Sequence, residues 1–428
     1  MKKIGLFLFG ICFALQMVAQ EQNYFTNPVI RGDVPDPSVI RIEDTYYATG
    51  TSSEWAPFYP MFTSKDLVNW KQVGHVFTKQ PSWTSNSFWA PELFYHNNKV
   101  YCYYTARQKS TGISYIGVAT SDSPLHEFTD HGQIVEYGKE AIDAFIYDDN
   151  GQLYISWKAY GLDTRPIELL GCKLSADGLH LDGEPFTLLV DEKGIGMEGQ
   201  YHFKEGDYYY IVYAAHGCCG PSSDYDVYVA RARNYGGPYE KYSGNPILHG
   251  GEGDYKSCGH GTVVRTSDGR MFYMCHAYLK GDGFFIGRQP ILQEMEMTDD
   301  HWVRFKTGNL AIAEQPIPFV GTKQEPLSDF EDNFKGNQLK VDWTWNYPYS
   351  DIHAVLKKGK LFLSGTPKNN NKYGTALCLR PQSPQYSCET KVINTGKGLK
   401  GLTLYGDDKN LIAWGIEGDK LILKVVKD

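Results

Sequence analysis

A repeated pattern begins with DPSVIRIEDTYYAT at residues 36–49, where an acidic residue opens a short strand, a polar turn follows, and an aromatic-rich strand ends the unit. It recurs as the following stretches: APELFYHNNKVYCYY (90–104), DAFIYDDNGQLYISW (143–157), EGQYHFKEGDYYYIVY (198–213) and HGTVVRTSDGRMFYMC (260–275). Each copy is typical of a β-hairpin, because apolar runs of strand length flank an Asp, Asn or Gly turn. The sequence therefore predicts an all-β fold.

The spacing of the copies predicts how the hairpins are arranged. The copies open at positions 36, 90, 143, 198 and 260, so successive openings are 54, 53, 55 and 62 residues apart. A long period made of strands and turns is typical of a solenoid or a propeller. We predict a five-bladed β-propeller over residues 24–320, with third strands at segments such as residues 115–120 and 225–230. Residues 66–70 are predicted to form the outer part of the first blade.

The residues that open the five copies are predicted to be neighbours in space, because equivalent ends of the innermost strands converge on the central channel of a propeller. The opening residues are Asp36, Ala90, Asp143, Glu198 and His260. A single Asp-Pro is more often a turn cap than a functional group. Three carboxyl groups in one confined site raise one another's pKa, so their recurrence favours acid–base chemistry.

The two ends of the chain differ from the repeats. Residues 1–20 carry Lys2, Lys3 and an apolar run from Ile4 to Val18, which predicts a signal peptide and a secreted or periplasmic protein. Cys12 lies in a poor context for lipid attachment, so a soluble product is favoured over a lipoprotein. Residues 327–428 predict a β-sandwich-like module of minimal or incomplete length, with strands at residues 343–346, 360–364, 387–392 and 421–425.

The composition narrows the class of partner. A net charge of −8 and a pI near 5.9 argue against nucleic acid, and no stretch after the N-terminal run predicts a membrane span. Eight of the nine cysteines follow the predicted signal peptide, and no spacing among them indicates zinc. For Cys218 and Cys219, a bond to each other, bonds to other cysteines and free thiols all stay open.

Six short motifs, in this order, resemble glycoside hydrolase family 43: DPS (36–38), SKDLVNW (64–70), WAPE (89–92), IDA (142–144), MEG (197–199) and GHG (259–261). The resemblance implies a five-bladed propeller enzyme that acts on xylosides and arabinofuranosides. It implies that Asp36 is the general base, Glu198 the general acid, and Asp143 the group that orients and tunes the acid. The tail resembles the first half of the sandwich appended to the family's β-xylosidases.

The chemistry of an inverting glycosidase agrees with these roles. One carboxylate activates water while a protonated carboxyl lies across the scissile bond, about 6.5–9.5 Å away. Openers of blades one and four lie across a five-bladed ring, which suits such a gap. Asp143 on the adjacent blade is predicted to raise the pKa of Glu198 by repulsion and to keep it protonated near neutral pH.

The resemblance also implies residues around the sugar. Trp89 matches a channel-lining tryptophan and Arg288 an arginine that reaches sugar hydroxyls, the alternatives being a core tryptophan and a surface ion pair. Trp55 and Phe58, on the loop after the first hairpin, are predicted to wall the pocket. His260 is predicted at the channel floor, either as a ligand of a structural calcium or sodium ion or as an orienting group. No cofactor is expected for the chemistry itself.

The expected function is an exo-acting, inverting hydrolase that releases β-xylosyl or α-L-arabinofuranosyl residues from plant polysaccharides or oligosaccharides. The alternatives within the family are endo-arabinanase or galactan-degrading activity, which depend on loop shape. A non-catalytic glycan-binding propeller is disfavoured because it needs neither acid nor base. Retaining fructan hydrolases are disfavoured because their opening motif, NDPNG, is absent. Oligomeric state is not predicted.

Overall fold

The computed structural model describes residues 23–393 and 397–427. In it, each copy of the repeat forms the first two strands of an antiparallel sheet. Five such sheets follow one another along the described chain. Their strands, in order, are Ser38–Ile42, Thr45–Thr49, Phe58–Ser64 and Lys71–Phe77 in blade one; Thr84–His96, Lys99–Gln108, Ser114–Ser121 and Thr129–Val135 in blade two; Ala141–Asp149, Gln152–Ala159, Glu168–Lys173 and Phe186–Val190 in blade three; Glu198–Glu205, Tyr208–Ala215, Asp226–Ala232, Glu240–Lys241 and Leu248–His249 in blade four; and Tyr255–Arg265, Met271–Leu279, Gln289–Met297 and Val303–Phe305 in blade five.

The blades close into a ring around their first strands. The first strand of each blade contacts the first strand of the next, and that of blade five contacts that of blade one. The prediction of an all-β, five-bladed propeller is confirmed. The only helical element among the described residues is a short 3₁₀ turn at Phe284–Ile286, and none of their helices is long and apolar enough to cross a bilayer. The predicted signal peptide lies outside the described residues.

Five apolar clusters fill the five gaps between neighbouring blades. Their largest fully buried side chains are aromatic, and include Trp157 in blade three, Tyr103 in blade two, Tyr210 in blade four and Tyr273 in blade five. Flat, wide rings suit the space between two twisted sheets, which explains the high tyrosine content as core packing. Each blade is therefore held on both faces by hydrophobic burial.

A clasp joins the start of the propeller to its end. Strand Tyr24–Thr26 pairs antiparallel with strand Glu314–Pro316. The side chain of Asn27 donates to the carbonyl of Leu292 at 2.9 Å and accepts from the Leu292 N–H at 2.8 Å, so one buried amide satisfies both backbone groups of a residue in blade five.

The outer edge of blade one differs from the sequence prediction. Residues 66–70 form a turn rather than a strand, because Asp66 Oδ1 accepts from the backbone N–H groups of Val68 and Asn69 at 3.0 and 2.8 Å. Such a side-chain cap stabilises a turn and leaves these N–H groups unavailable to a sheet. The outer strand begins one residue later, at Lys71.

The C-terminal residues add short antiparallel sheets. The strands are Trp345–Asn346, Ser350–Leu356, Leu361–Pro367, Lys400–Tyr405, Leu411–Glu417 and Lys420–Val426. The first of them pairs with Trp55–Ala56 of the propeller, the next two form a hairpin, and the last three form a sheet. The predicted strand at residues 387–392 is wrong. That segment is exposed, and no neighbouring strand among the described residues offers it hydrogen bonds.

Candidate active site

The residues that open the repeats share an unusual backbone conformation at the mouth of the channel. The φ angle is positive at Asp36 (56°), Ala90 (41°), Asp143 (58°) and His260 (45°). Non-glycine residues with such angles cost about 1–3 kcal/mol each and cluster at functional sites. In blades two, three and five the strand pairing is interrupted at this point, so the opening residue is released from the regular ladder.

Blade four departs from the predicted alignment by one residue. The positive angle there falls on Gly199, with φ of 60°, and Glu198 precedes it. A Cβ atom at Gly199 would lie 2.5 Å from the ring of His260, so only glycine fits. Glu198 is thus offset from the position that Asp143 takes in its own blade. The repeat places Glu198 correctly at the channel but misplaces it along the strand.

Asp36 is surrounded by donors and positive groups. Thr51 Oγ1 donates to its Oδ2 at 2.6 Å, and its Oδ1 lies 3.3 Å from His260 Nδ1, 3.1 Å from His276 Nδ1 and 3.6 Å from Arg288 Nη1. Burial raises the pKa of Asp36, but Arg288, His260 and the contact with His276 outweigh it and hold the pKa well below its usual value. These surroundings therefore favour the ionised form of Asp36.

At Asp143 the effect of burial on the pKa outweighs that of the neighbouring positive groups, the reverse of Asp36. It is buried, its Oδ2 accepts from the Gly199 N–H at 3.1 Å, and the same oxygen lies 3.7 Å from His260 Nδ1. Burial raises the pKa of Asp143 to about 7, and the charge of Glu198 adds to the rise while His260 opposes it. Asp143 therefore keeps a proton at mildly acidic pH.

Glu198 is paired with a lysine that the sequence prediction missed. Lys158 Nζ lies 2.8 Å from Glu198 Oε2 and 3.6 Å from Glu140 Oε2, and the Tyr225 hydroxyl donates to Glu198 Oε1 at 3.0 Å. Burial raises the pKa of Glu198, but the charge and hydrogen bond of Lys158 outweigh it, so the pKa lies below its usual value. The prediction that Glu198 has a raised pKa is wrong for the protein without substrate. The physical reason is the ion pair with Lys158.

Lys158 reaches this position from the second strand of blade three. It pairs with Ile142, next to Asp143, and its side chain is only 12% exposed. The signal in the sequence is a lysine directly after the apolar run 153–157, in a copy whose equivalents carry none at that place. A buried lysine needs a carboxylate partner, which would have pointed to this site.

Hydrogen bonds from blade to blade hold the opening residues at one level. The Ala90 N–H donates to Thr51 Oγ1 at 2.6 Å, and the Asp143 N–H donates to Thr105 Oγ1 at 3.2 Å. The Asp36 N–H donates to His276 Nδ1 at 3.1 Å, which joins blade one to blade five. Such second contacts fix side chains before substrate arrives, as a preorganised site requires.

Three of the four predicted sugar-binding residues lie near the channel mouth. Arg288 is buried beside Asp36 rather than in a surface ion pair, and its side chain is 14% exposed. Trp89 lies on the first strand of blade two, partly exposed, with the Arg107 guanidinium 5.9 Å from its ring centroid. Trp55 is partly exposed and its ring meets that of Tyr405 edge-on at 6.0 Å, so it faces the C-terminal module.

Phe58 does not wall the pocket, which corrects the prediction. It belongs to the third strand of blade one and is 2% exposed. Its ring stacks on Phe88 at 4.1 Å and meets Tyr347 edge-on at 4.9 Å. An aromatic ring enclosed in this way has no free face for a sugar, and its role is to fill the core between blades one and two.

His260 lies against two carboxylates rather than within a set of metal ligands. Its Nδ1 is 3.3 Å from Asp36 Oδ1 and 3.7 Å from Asp143 Oδ2. Across residues 23–393 and 397–427 there is no group of three or more His, Cys, Asp or Glu side chains arranged to hold an ion. A calcium or sodium site needs several oxygen ligands, so the residues present favour the orienting role.

Comparisons with known proteins give matches over both parts of the chain. The model of the family "Glycosyl hydrolases family 43" matches residues 25–303, and that of the "Beta xylosidase C-terminal Concanavalin A-like domain" matches residues 331–428. A xylan 1,3-β-xylosidase of Vibrio sp. is 28% identical over 415 residues, which is 89% of this chain and 76% of the relative. The non-reducing end α-L-arabinofuranosidase BoGH43B of Bacteroides ovatus is 28% identical over 434 residues, which is 95% of this chain and 78% of the relative.

A solved structure supports the fold over almost the whole length. It is a GH43_12 protein retrieved from a capybara gut metagenome, with a TM-score of 0.77 and 22% identity, and the match covers 95% of this chain and 82% of the other. At that identity the likeness speaks for the fold alone. It includes the C-terminal strands as well as the propeller.

Proposed function

Because the chain belongs to glycosyl hydrolase family 43, we propose that it is an inverting, exo-acting hydrolase that releases β-xylosyl or α-L-arabinofuranosyl residues from plant cell-wall oligosaccharides or polysaccharides. The observation that carries the proposal is that three carboxyl groups converge on one site in different surroundings: Asp36 lies beside Arg288, Glu198 is paired with Lys158, and Asp143 is buried and accepts from the Gly199 N–H. These surroundings lower the pKa of Asp36 and raise that of Asp143, which favours an ionised base and a retained proton in the same site. An inverting enzyme needs one ionised base and one protonated acid.

The proposed mechanism uses these groups in a single displacement. Asp36 accepts a proton from a water molecule, and that water attacks the anomeric carbon on the face opposite the leaving group. Glu198, which Lys158 and Tyr225 hold in place, donates the shared proton to the departing oxygen. Asp143 is the group that keeps this proton available, since its negative charge and that of Glu198 disfavour each other.

The C-terminal module supports exo rather than endo action. The loop that carries Thr51 and Trp55 leaves the same end of blade one as Asp36, since Ser38 pairs with Thr49. Trp345 and Tyr405 of the module pack against that loop. A wall on one side of the channel mouth favours a pocket that admits a chain end over a groove open at both sides.

The activities for which the relatives are named support the proposed sugar class, and assays with two aryl glycosides can test it directly. The two relatives described above are named for β-xylosidase and α-L-arabinofuranosidase activity. We expect hydrolysis of 4-nitrophenyl β-D-xyloside, α-L-arabinofuranoside or both, with monosaccharide as the first product from oligosaccharides. Proton NMR of that product should show the inverted anomer before mutarotation. Retained configuration, release of internal fragments, or binding without turnover would contradict the proposal.

The roles of acid and base are separated by the leaving group. Glu198→Ala should lose about 10³-fold or more in kcat/KM on natural oligosaccharides but much less on a dinitrophenyl glycoside, whose phenolate departs without a proton. Asp36→Ala should lose activity on both, because water stays unactivated. Glu205→Gln, which removes a partly exposed carboxylate, paired with Arg265, from the far end of the same strand, is the matched control. A Glu198 variant equally slow on both substrates would contradict its role as acid.

The proposal includes export and independence from metal. The N-terminal residues with their apolar run are proposed to direct export, and N-terminal sequencing of the exported protein should begin near residue 21. The displacement described above needs no cofactor, so activity should be unchanged after treatment with EDTA and desalting. A loss of activity that calcium restores would show that an ion takes part.

A further inference from the structure

Two adjacent cysteines occupy a loop at the channel mouth that the mechanism above does not use. Cys218 and Cys219 follow strand Tyr208–Ala215, and Ala214 on that strand pairs with Glu198. The loop therefore leaves the propeller at the same end as Glu198. The Gly220 N–H donates to the Tyr278 hydroxyl of blade five at 3.2 Å, so the loop bridges from blade four to blade five across the rim.

The same loop is connected to the segment that carries Arg288. The ring of Tyr278 stacks on Phe284 at 4.9 Å, and Phe284 belongs to the short turn that directly precedes Gly287 and Arg288. Phe284 is 46% exposed, so this segment forms a free edge of the channel mouth. A change in the shape of the cysteine loop would reach Arg288 through Tyr278 and Phe284.

The two thiols differ in reactivity. Cys219 is exposed and Cys218 is half-buried, and both are free thiols. A hydrogen bond from Cys218 lowers the pKa of Cys219 to about 7, and Arg288 helps while burial, Asp36 and Glu198 oppose. The thiolate is the form that reacts with disulfides. The other described cysteines are either buried in the propeller or belong to the C-terminal module, at Cys378 and Cys388.

We propose that Cys218 and Cys219 form a reversible redox site that controls substrate binding at the channel mouth. The Cys219 thiolate attacks one sulfur of a small-molecule disulfide such as glutathione disulfide and expels one thiolate. Cys218 then gives its proton to the expelled thiolate and attacks the Cys219 sulfur, which expels the second thiolate, and that thiolate takes a proton from water. In sum, two protein thiols are oxidised to one disulfide and the oxidant is reduced to two thiols.

The reduced and oxidised forms of the two cysteines differ in their effect on Arg288. In the reduced state the thiolate form of Cys219 attracts Arg288, as Asp36 does, and its formation would therefore weaken the hold of Asp36 on the guanidinium. The disulfide is neutral and leaves Arg288 to Asp36 and the sugar. The Cα atoms of neighbouring residues are about 3.8 Å apart, below the usual range of about 4.4–6.8 Å for disulfides, so such a bond is strained and easily reduced. That suits a switch better than a structural bond.

The test compares oxidised and reduced enzyme with matched variants. The wild-type protein, Cys218→Ser/Cys219→Ser and the control Cys388→Ser are each equilibrated with glutathione disulfide or with dithiothreitol. Peptide mass spectrometry should show that the segment holding both cysteines loses two hydrogens on oxidation in the wild type and in Cys388→Ser. At about pH 8, where Cys219 is mostly thiolate, reduction should raise KM roughly fivefold with a smaller change in kcat. The double variant should show no difference.

The outcomes for the redox site and for the proposed function can be told apart. Only the KM measurement rests on the proposed function, whereas mass spectrometry does not. Absence of the intramolecular disulfide under excess oxidant would overturn the redox site, whatever the enzyme hydrolyses. An equal KM in the two states, once mass spectrometry has verified both, would overturn its control of binding. If the protein hydrolysed neither of the proposed glycosides, the proposed function would be contradicted instead. Mass spectrometry would still show whether Cys218 and Cys219 form a disulfide.

Discussion

Lys158 places a positive charge 2.8 Å from Glu198, and the two groups are buried together with Asp143. The lysine stabilises the carboxylate form of Glu198, whereas an ionised Asp143 would oppose that form, because two like charges disfavour each other. The two neighbours therefore act on the same proton with opposite sign. This opposition makes the assignment of the acid testable by two substitutions whose effects on pH dependence differ in direction.

Lys158→Met should move the basic limb of the kcat/KM profile to higher pH, by about one unit or more. The limb reports loss of the proton from the acid, and removal of the positive charge raises the pKa of Glu198. Lys173→Met, at an exposed lysine of the same blade, is the control and should leave the limb in place. A limb that stays in place would mean that Lys158 does not act on the acid, and a shift to lower pH would contradict the predicted sign.

Asp143→Asn should move the same limb to lower pH, because the loss of a negative charge lowers the pKa of Glu198. The side-chain oxygen can still accept from the Gly199 N–H, so the loop is expected to keep its position. On a substrate with a good leaving group we expect a loss of about 10²-fold, smaller than that of Asp36→Asn. Full pH profiles of the three proteins measure both effects, and an unmoved limb would remove Asp143 from the tuning role.

At the scale of single residues the sequence predicts which carboxyl groups meet, because a near-constant period places them at the same end of successive blades. It does not predict that the positive φ angle falls on Gly199 rather than on Glu198, because that depends on how closely the ring of His260 approaches. It also misses Lys158, since the ion pair joins strands of different blades. The sequence pattern within one repeat does not predict the distances between side chains of different blades.

At the scale of elements, the short strand Trp345–Asn346 fastens the C-terminal module to blade one. The next residue, Tyr347, is 6% exposed, inserts its ring beside Phe58 and Phe88, and donates from its hydroxyl to the Ser85 carbonyl at 2.7 Å. The module thus contributes a side chain to the core between blades one and two. Its docking is part of the propeller's own packing.

Tyr347→Ala should lower the free energy of unfolding by about 3–5 kcal/mol, because it removes a large buried ring from this core. Tyr347→Phe keeps the ring and loses one hydrogen bond, so about 1 kcal/mol is expected. Urea denaturation followed by tryptophan fluorescence measures both. Equal effects of the two substitutions would show that the ring does not pack as described.

Alternation of apolar and polar residues predicts the hairpins well, since each apolar face has a neighbouring blade to cover it. The pattern fails where no neighbour exists. Residues 387–392 have strand-like composition but no partner strand among the described residues, and residues 66–70 are capped by their own Asp66 side chain. The burial of Phe58 is missed for a related reason, because its partner Tyr347 comes from outside the propeller repeat.

At the scale of the whole molecule, the period predicts five blades but not how the ring is closed. Strand Tyr24–Thr26 and strand Glu314–Pro316 lie outside the five repeated sheets and pair with each other. The buried amide of Asn27, which is 2% exposed, serves two backbone groups of Leu292. Closure therefore combines the apolar cluster between blades five and one with polar contacts between distant segments, and local sequence patterns do not show such pairs.

Asn27→Ala should lower the free energy of unfolding by about 2–3 kcal/mol, because it leaves the N–H and carbonyl of Leu292 buried without a partner. Asn234→Ala, at an exposed asparagine before a turn in blade four, is the control and should change it by less than about 0.5 kcal/mol. Chemical denaturation compares the two. A value for Asn27→Ala as small as that of the control would show that the clasp does not stabilise the ring.

The clasp also bears on how the chain is made. Asn27 is synthesised early, and its partner Leu292 follows 265 residues later, so at a typical elongation rate of about 5–20 residues per second the gap lasts tens of seconds. During that time blade one can fold only as an open edge, and the ring cannot shut. The propeller therefore completes its fold only after nearly all of it has left the ribosome, and the ring stays open for most of the synthesis. For a chain with the proposed export signal, the ring can therefore close only after both Leu292 and residues 314–316 have been made.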